Sequence, residues 1–200
     1  MSVPATNAGA NAASPMSNHA RGLWGYWGKT AAGRELTVQA TGMGGPSAAI
    51  VLADLVELGV RRAVRIGSCT GLDPELAPGQ LVAVTEAHSW AGPGTPEGAA
   101  VLPDAELAEA LSRRLGIEAR PGSAASLDTL HAELDPASSS ALGTDVADMQ
   151  TAALLARGKE LDVAVAAVLI VSETSSGERL DDEALEAAAK GAGQAAAAVL

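Results

Sequence analysis

The 200 residues predict an α/β fold in which a central sheet carries helices on both faces. Three observations lead there. Segments of strand character alternate with segments of helical period along the chain. The best strands are apolar on both faces, as in a sheet covered on each side. Three strand ends carry glycine-rich or polar residues, Gly42-Met43-Gly44-Gly45, Arg65-Ile66-Gly67-Ser68 and Ser172-Glu173, and ligands in such sheets sit beyond the carboxyl ends of strands.

Taken in order, residues 1–16 contain Ala, Asn, Ser and Pro with no charge and no period, and read as a disordered leader or a non-native start. Residues 17–200 form one domain. A strand at 35–40 runs into the turn Thr41-Gly42-Met43-Gly44-Gly45-Pro46-Ser47. A helix follows at 47–58, with Pro46 suited to its first turn and Gly59 closing it. A β-branched strand at 62–67 leads into the turn Ser68-Cys69-Thr70-Gly71. Residues 81–87 are another apolar strand. The segment 104–115 is a helix with Asp104 as N-cap and Gly116 beyond its end. A weaker strand lies within 116–126, an alanine-rich helix at 148–159, and the strongest strand of the chain at 162–171. A last helix takes 181–200.

Composition bounds the function. The chain has 13 basic and 24 acidic residues, a formal net charge of −11, which disfavours binding a nucleic-acid polymer or an anionic membrane surface. Small anions remain possible ligands, because a few local arginines hold one against an adverse global field. A single cysteine, Cys69, excludes a disulfide framework, and His19, His88 and His131 share no metal-ligand spacing. With no membrane-length apolar run and no signal-peptide pattern at the N-terminus, the cytoplasm is the default compartment. The 44 alanines and the absence of phenylalanine mean a core of Val, Leu, Ile and Ala, with aromatic rings only at Trp24, Tyr26, Trp27 and Trp90.

Arg65-Ile66-Gly67-Ser68 is the sharpest chemical signal. An arginine in an apolar strand is costly unless an anion meets it. Gly67 lets a ligand approach the backbone, and Ser68 adds a hydroxyl and a turn N–H, so the four residues describe a pocket for a phosphate-like anion. The alternative is a strand arginine paired with one of the chain's own carboxylates. The glycine-rich turn at 42–47 is neither a dinucleotide fingerprint nor a P-loop. Asp148 before a helix reads as a cap. Glu173 after a buried strand is a general acid or a solvated loop residue, and Cys69 is a reactive thiol or a small buried filler.

Taken together these segments resemble the purine nucleoside/uridine phosphorylase family. The resemblance runs in register from about Ser17 to the C-terminus. It rests on Asn18-His19-Ala20-Arg21-Gly22, Thr41-Gly42-Met43-Gly44-Gly45-Pro46-Ser47, Arg65-Ile66-Gly67-Ser68-Cys69, Gly116-Ile117-Glu118-Ala119-Arg120-Pro121-Gly122 with Ser126-Leu127-Asp128, Asp148-Met149-Gln150, and Val171-Ser172-Glu173. It implies a three-layer fold with a central mixed sheet flanked by helices. The implied reaction is phosphorolysis of a nucleoside to free base and ribose 1-phosphate, in purine or pyrimidine salvage. Phosphate is the co-substrate and there is no other cofactor.

By the same resemblance Arg65 and Ser68 bind phosphate, with Arg21 reaching the site of a neighbouring subunit in a homo-oligomer. Met43, Cys69, Met149 and Gln150 line the nucleoside site, and Glu173 is the acid beside the base. A nucleosidase and a catalytically silent nucleoside-binding oligomer are the alternatives. Several positions depart from the family pattern. The N-terminal Gly-Asp-Pro-x-Arg turn is missing from residues 1–16, which predicts an exposed sheet edge and one phosphate cation fewer. Gln150 replaces a glutamate, Glu173 an aspartate, Thr70 a glycine and Leu130 an aromatic residue. Arg179 comes too early to be the arginine that partners the acid.

Overall fold

Strand 164–174 shows why this sequence folds as it does. Its residues alternate between two separate cores: Val165, Ala167, Leu169 and Val171 face one, and Ala166, Val168 and Ile170 face the other. Period-2 alternation in which both faces are apolar forces a layer of helices onto each side.

The structure is a computed structural model and describes residues 14–18, 22–30, 32–90, 97–128 and 143–200. Strands β1 (Ser14–Asn18), β2 (Leu23–Lys29) and β3 (Glu35–Gln39) form a small antiparallel sheet. Then follow α1 (Gly45–Glu57), β4 (Arg62–Gly71), β5 (Leu81–Trp90), β6 (Glu97–Val101) and α2 (Ala105–Leu115). A short 3-10 turn leads to β7 (Ala119–Leu127), β8 (Val146–Asp148), α3 (Thr151–Glu160), β9 (Ala164–Thr174) and α4 (Asp182–Val199).

The main sheet is mixed, in the order β6-β5-β7-β8-β4-β9. β4 runs parallel to β9, and β7 runs parallel to both β5 and β8. An antiparallel pairing of Leu81–Ala83 of β5 with Val168–Ile170 of β9 closes the sheet on itself. Helices α1 and α3 bury Ala48, Leu52, Ala152, Leu154 and Leu155 against one face. Helices α2 and α4 bury Leu107, Leu111, Leu115, Ala192 and Ala195 against the other. Alanine on α4 lets that helix lie close to the sheet, which is how a chain without phenylalanine still fills its core. Among the described residues no helix is long and apolar enough to cross a membrane.

The expected Asp104 cap is present, accepting from the Leu107 N–H at 2.8 Å, and at the last helix Asp181 accepts from the Ala184 N–H at 2.7 Å. Several boundaries differ. Residues 68–71 continue β4 rather than turning, because β9 pairs with them on one edge and β8 takes Thr70 and Gly71 on the other. Asp148 ends β8, and helix α3 starts only at Thr151. The first strand includes Ser14–Met16, part of the segment 1–16 read as leader.

Gly158 fixes the seat of α3. A glycine this deep in a helix normally gains stability on replacement by alanine. Here a Cβ would be driven into the Val165 side chain of β9 and to 3.1 Å from the Val163 carbonyl oxygen. Gly158→Ala is expected to destabilise by about 1–3 kcal/mol, as overpacking does. A urea titration giving a higher midpoint than wild type would refute the close packing.

Candidate active site

One buried polar network links four segments that are far apart in sequence. Arg65 rises from the middle of β4, and its guanidinium lies over Gly67, where a Cβ would stand 2.5 Å from Nη2 and 2.7 Å from Cζ. The glycine therefore makes room for the arginine's own head group, not only for a ligand. Nη2 donates to Asp148 Oδ2 at 2.8 Å, Nε to Thr151 Oγ1 at 3.0 Å and Nη1 to Gln150 Oε1 at 2.5 Å.

Asp148 is the anion that an arginine in an apolar strand demands. Its residue is 1% exposed, and the Arg65 side chain is 10% exposed. Asp148 Oδ1 accepts from Ser126 Oγ at 2.5 Å, and Oδ2 accepts from Thr151 Oγ1 at 2.6 Å and from the Thr151 N–H at 3.0 Å. Ser126 Oγ in turn accepts from the Ala152 N–H at 2.9 Å. The first N–H groups of α3 are thereby satisfied by β7 and β8. A charge buried this deeply persists only when paired and fully hydrogen-bonded, which is the arrangement present. The Arg–Asp pair is neutral overall.

The glycine-rich loop closes the network from above. Gly42 and Gly44 have φ of 72° and 81°, a region open to glycine but strained for other residues. Ser47 Oγ donates to the Thr41 carbonyl at 2.6 Å, and a Cβ on Gly45 would meet Ala153 of α3 at 2.8 Å. Gln150, 6% exposed, joins the loop to the arginine. Its Oε1 also accepts from Thr41 Oγ1 at 3.1 Å, and its Nε2 donates to the carbonyls of Gly42 at 2.7 Å and Gly44 at 3.4 Å.

A second polar group stands at the carboxyl ends of β4 and β9. The β4–β9 register slips between Cys69 and Thr70, so Ser172 is an extra residue whose hydroxyl donates to the Cys69 carbonyl at 3.1 Å. Bulges of this kind re-aim the next side chain. Glu173 consequently meets Thr70, whose Oγ1 donates to Oε1 at 3.2 Å. Its other oxygen accepts from Arg179 Nη2 at 3.0 Å. The Glu173–Arg179 bridge and the Thr174 N–H to Glu178 carbonyl bond make a tight hairpin, and this brings back an arginine that sequence separation had discounted.

The remaining expected residues are placed as follows. Ser68 is exposed on β4 and Met43 is 78% exposed on the glycine loop. Met149 is half-buried between Asp148 and Gln150. Cys69 is 2% exposed; burial first, and the nearby Asp148 carboxylate second, push its thiol pKa far above the ordinary range, so it fits the buried filler of the two readings. Alkylation by iodoacetamide at neutral pH is expected to be slow in the folded protein and fast in denaturant. Equal rates in both would contradict this burial. Arg21, Leu130, His19 and His131 lie outside the described residues.

β4 pairs with β9 along its length but with β8 only at Thr70 and Gly71. A cavity of about 810 Å³ lies against the open stretch, with Leu36, Thr37, Val51, Leu55, Val64 and Arg65 in its lining.

Fold and network define an α/β protein whose mixed, closed sheet holds a buried Arg–Asp pair beneath a glycine loop, with a glutamate–arginine pair at the ends of its parallel strands. Comparison with known proteins gives the family. The chain belongs to the phosphorylase superfamily, whose family model matches residues 7–200. It is 31% identical over 173 residues to a DeoD-type purine nucleoside phosphorylase of Limosilactobacillus reuteri, covering 80% of this chain and 72% of that one. A DeoD-type purine nucleoside phosphorylase of Caldanaerobacter subterraneus is 29% identical over 168 residues, covering 78% and 72%.

Among solved structures, the purine nucleoside phosphorylase of Toxoplasma gondii in complex with immucillin-H superposes with a TM-score of 0.79 at 21% identity, over 94% of this chain and 82% of that one. A protein assigned as a methylthioadenosine nucleosidase from Weissella paramesenteroides gives 0.78 at 18% identity, over 96% and 88%. These two likenesses concern the fold.

Proposed function

We propose that this chain is a nucleoside phosphorylase, a pentosyltransferase that cleaves the N-glycosidic bond of a nucleoside with inorganic phosphate. The observation that carries the reading is the Arg65 guanidinium. Thr151, Gln150 and Asp148 hold three of its five N–H groups within a network built to orient it, and among the described residues no further partner takes the other two. A preorganised donor of this kind stabilises charge that moves during reaction.

In the proposed reaction a phosphate oxygen, held by Arg65 and Ser68, forms the new bond to C1′ of the ribose. The C1′–N bond breaks, its electron pair passes to the base, and Glu173, entering the step as the neutral acid, gives the base nitrogen its proton and is left as the carboxylate. Arg179 and Thr70 position the glutamate. The exposed Met43 and the half-buried Met149 flank the sugar, with Gln150 behind them. Arg21 of a neighbouring copy completes the phosphate site in a homo-oligomer. Phosphate is consumed as co-substrate and no other cofactor takes part.

A second reading, hydrolysis by a nucleosidase of the same family, draws on one observation. Asp148 already neutralises Arg65, so phosphate meets a dipole rather than a full positive charge. Initial rates of base release from a panel of purine and pyrimidine nucleosides, measured against phosphate concentration, decide between them. Phosphorolysis requires a rate that rises with phosphate and saturates. A rate indifferent to phosphate overturns it in favour of hydrolysis, and nucleoside-induced thermal stabilisation with no release would indicate binding without turnover.

A further inference from the structure

The Gln150 side chain has two acceptor sites and two donor sites, and the protein fills all four. The acceptors serve Arg65 Nη1 and Thr41 Oγ1; the donors serve the carbonyls of Gly42 and Gly44. Nothing on this buried amide is left over for a ligand among the described residues. The amide also bonds both the glycine loop and the buried guanidinium. The two glycines whose carbonyls accept from it have φ of 72° and 81°.

From these contacts we infer that Gln150 is a latch. Its amide hydrogens hold the Gly42–Gly45 loop down, and its carbonyl oxygen occupies a guanidinium N–H of Arg65. Release of the latch frees the loop and that N–H together, so Gln150 sets both the resting position of the loop and the anion affinity of Arg65. It acts through other groups and is a positioning residue. The chemistry makes the side-chain type decisive. A glutamate of identical shape would turn a carboxylate oxygen toward the two loop carbonyls, which repel it, and would give Arg65 a second carboxylate neighbour beside Asp148. An alanine would release the loop without adding charge.

The two substitutions therefore share one effect and oppose each other in a second. Gln150→Glu and Gln150→Ala should both raise amide hydrogen exchange across residues 42–48 by about fivefold or more, the factor expected from one lost hydrogen bond. Binding of inorganic phosphate, read by calorimetry, should tighten in Gln150→Ala and weaken by about tenfold or more in Gln150→Glu. The exchange arm stands on the hydrogen bonds alone, and only the phosphate arm rests on the proposed phosphate site.

The experiment uses the full chain, with exchange in α2 as the internal reference. If Gln150→Ala does not fold, the isosteric Gln150→Glu and Thr41→Val, which removes a single contact to the amide, carry the exchange arm. Faster exchange confined to 42–48, with phosphate affinities on opposite sides of wild type, upholds the latch. Unchanged exchange in every folded variant overturns it. Faster exchange with no phosphate binding in any protein upholds the latch on the loop and overturns the phosphate assignment of Arg65.

Discussion

Asp148→Ala is expected to cost about 3–5 kcal/mol of stability, the range for removing one partner of a buried ion pair. The residue is 1% exposed and receives Arg65, Ser126 and Thr151, so its loss strands a guanidinium and unseats the start of α3 in one step. For a domain whose whole stability is about 5–15 kcal/mol, that is a large part of the total. Urea denaturation should show a lower midpoint with an unchanged slope. Asp148→Leu combined with Arg65→Met should recover most of the loss, because two apolar side chains leave no unpaired charge. An Asp148→Ala protein within 1 kcal/mol of wild type, by the scale on which exposed pairs are measured, would mean that the pair is not buried as described.

Glu173→Gln is expected to lower kcat by about 10²- to 10⁴-fold, the usual contribution of a positioned general acid. The amide keeps the shape and the Thr70 contact but has no acidic proton to give. Arg179→Ala should produce a smaller loss, since its side chain is 78% exposed and its pairing with Glu173 is correspondingly screened. Steady-state kinetics with saturating phosphate would separate the two. Full activity in Glu173→Gln would remove Glu173 from the chemistry and leave only a structural role at the hairpin.

Much of the layer structure was legible in the sequence, because periodicity records burial directly. The two-faced apolar run that became β9 and the Asp104 cap are local signals read from a few neighbouring residues. What escaped was tertiary. Ser68-Cys69-Thr70-Gly71 has turn-forming composition, and it remains a strand because two other strands pair with it. β8 is three residues long, too short to carry a period, so Asp148 read as the start of a helix.

The polar site was half legible for the same reason. That an arginine in an apolar strand needs an anion was evident from Arg65 itself. Which anion was not, although Val146-Ala147-Asp148, an acid closing an apolar pair, was the available clue. The Glu173–Arg179 pair depends on a hairpin that no spacing rule supplies. Gln150 read only as the replacement of a family glutamate, and nothing local to it shows that its amide hydrogens meet the loop carbonyls.

In the proposed function the Arg65 network delivers phosphate to C1′ of a nucleoside. Phosphorus NMR of a reaction containing the protein, a purine nucleoside and inorganic phosphate tests it most directly. Phosphorolysis gives a ribose 1-phosphate resonance that grows in step with free base while the inorganic phosphate signal falls by the same amount. Free base accumulating with the phosphate signal unchanged would contradict it.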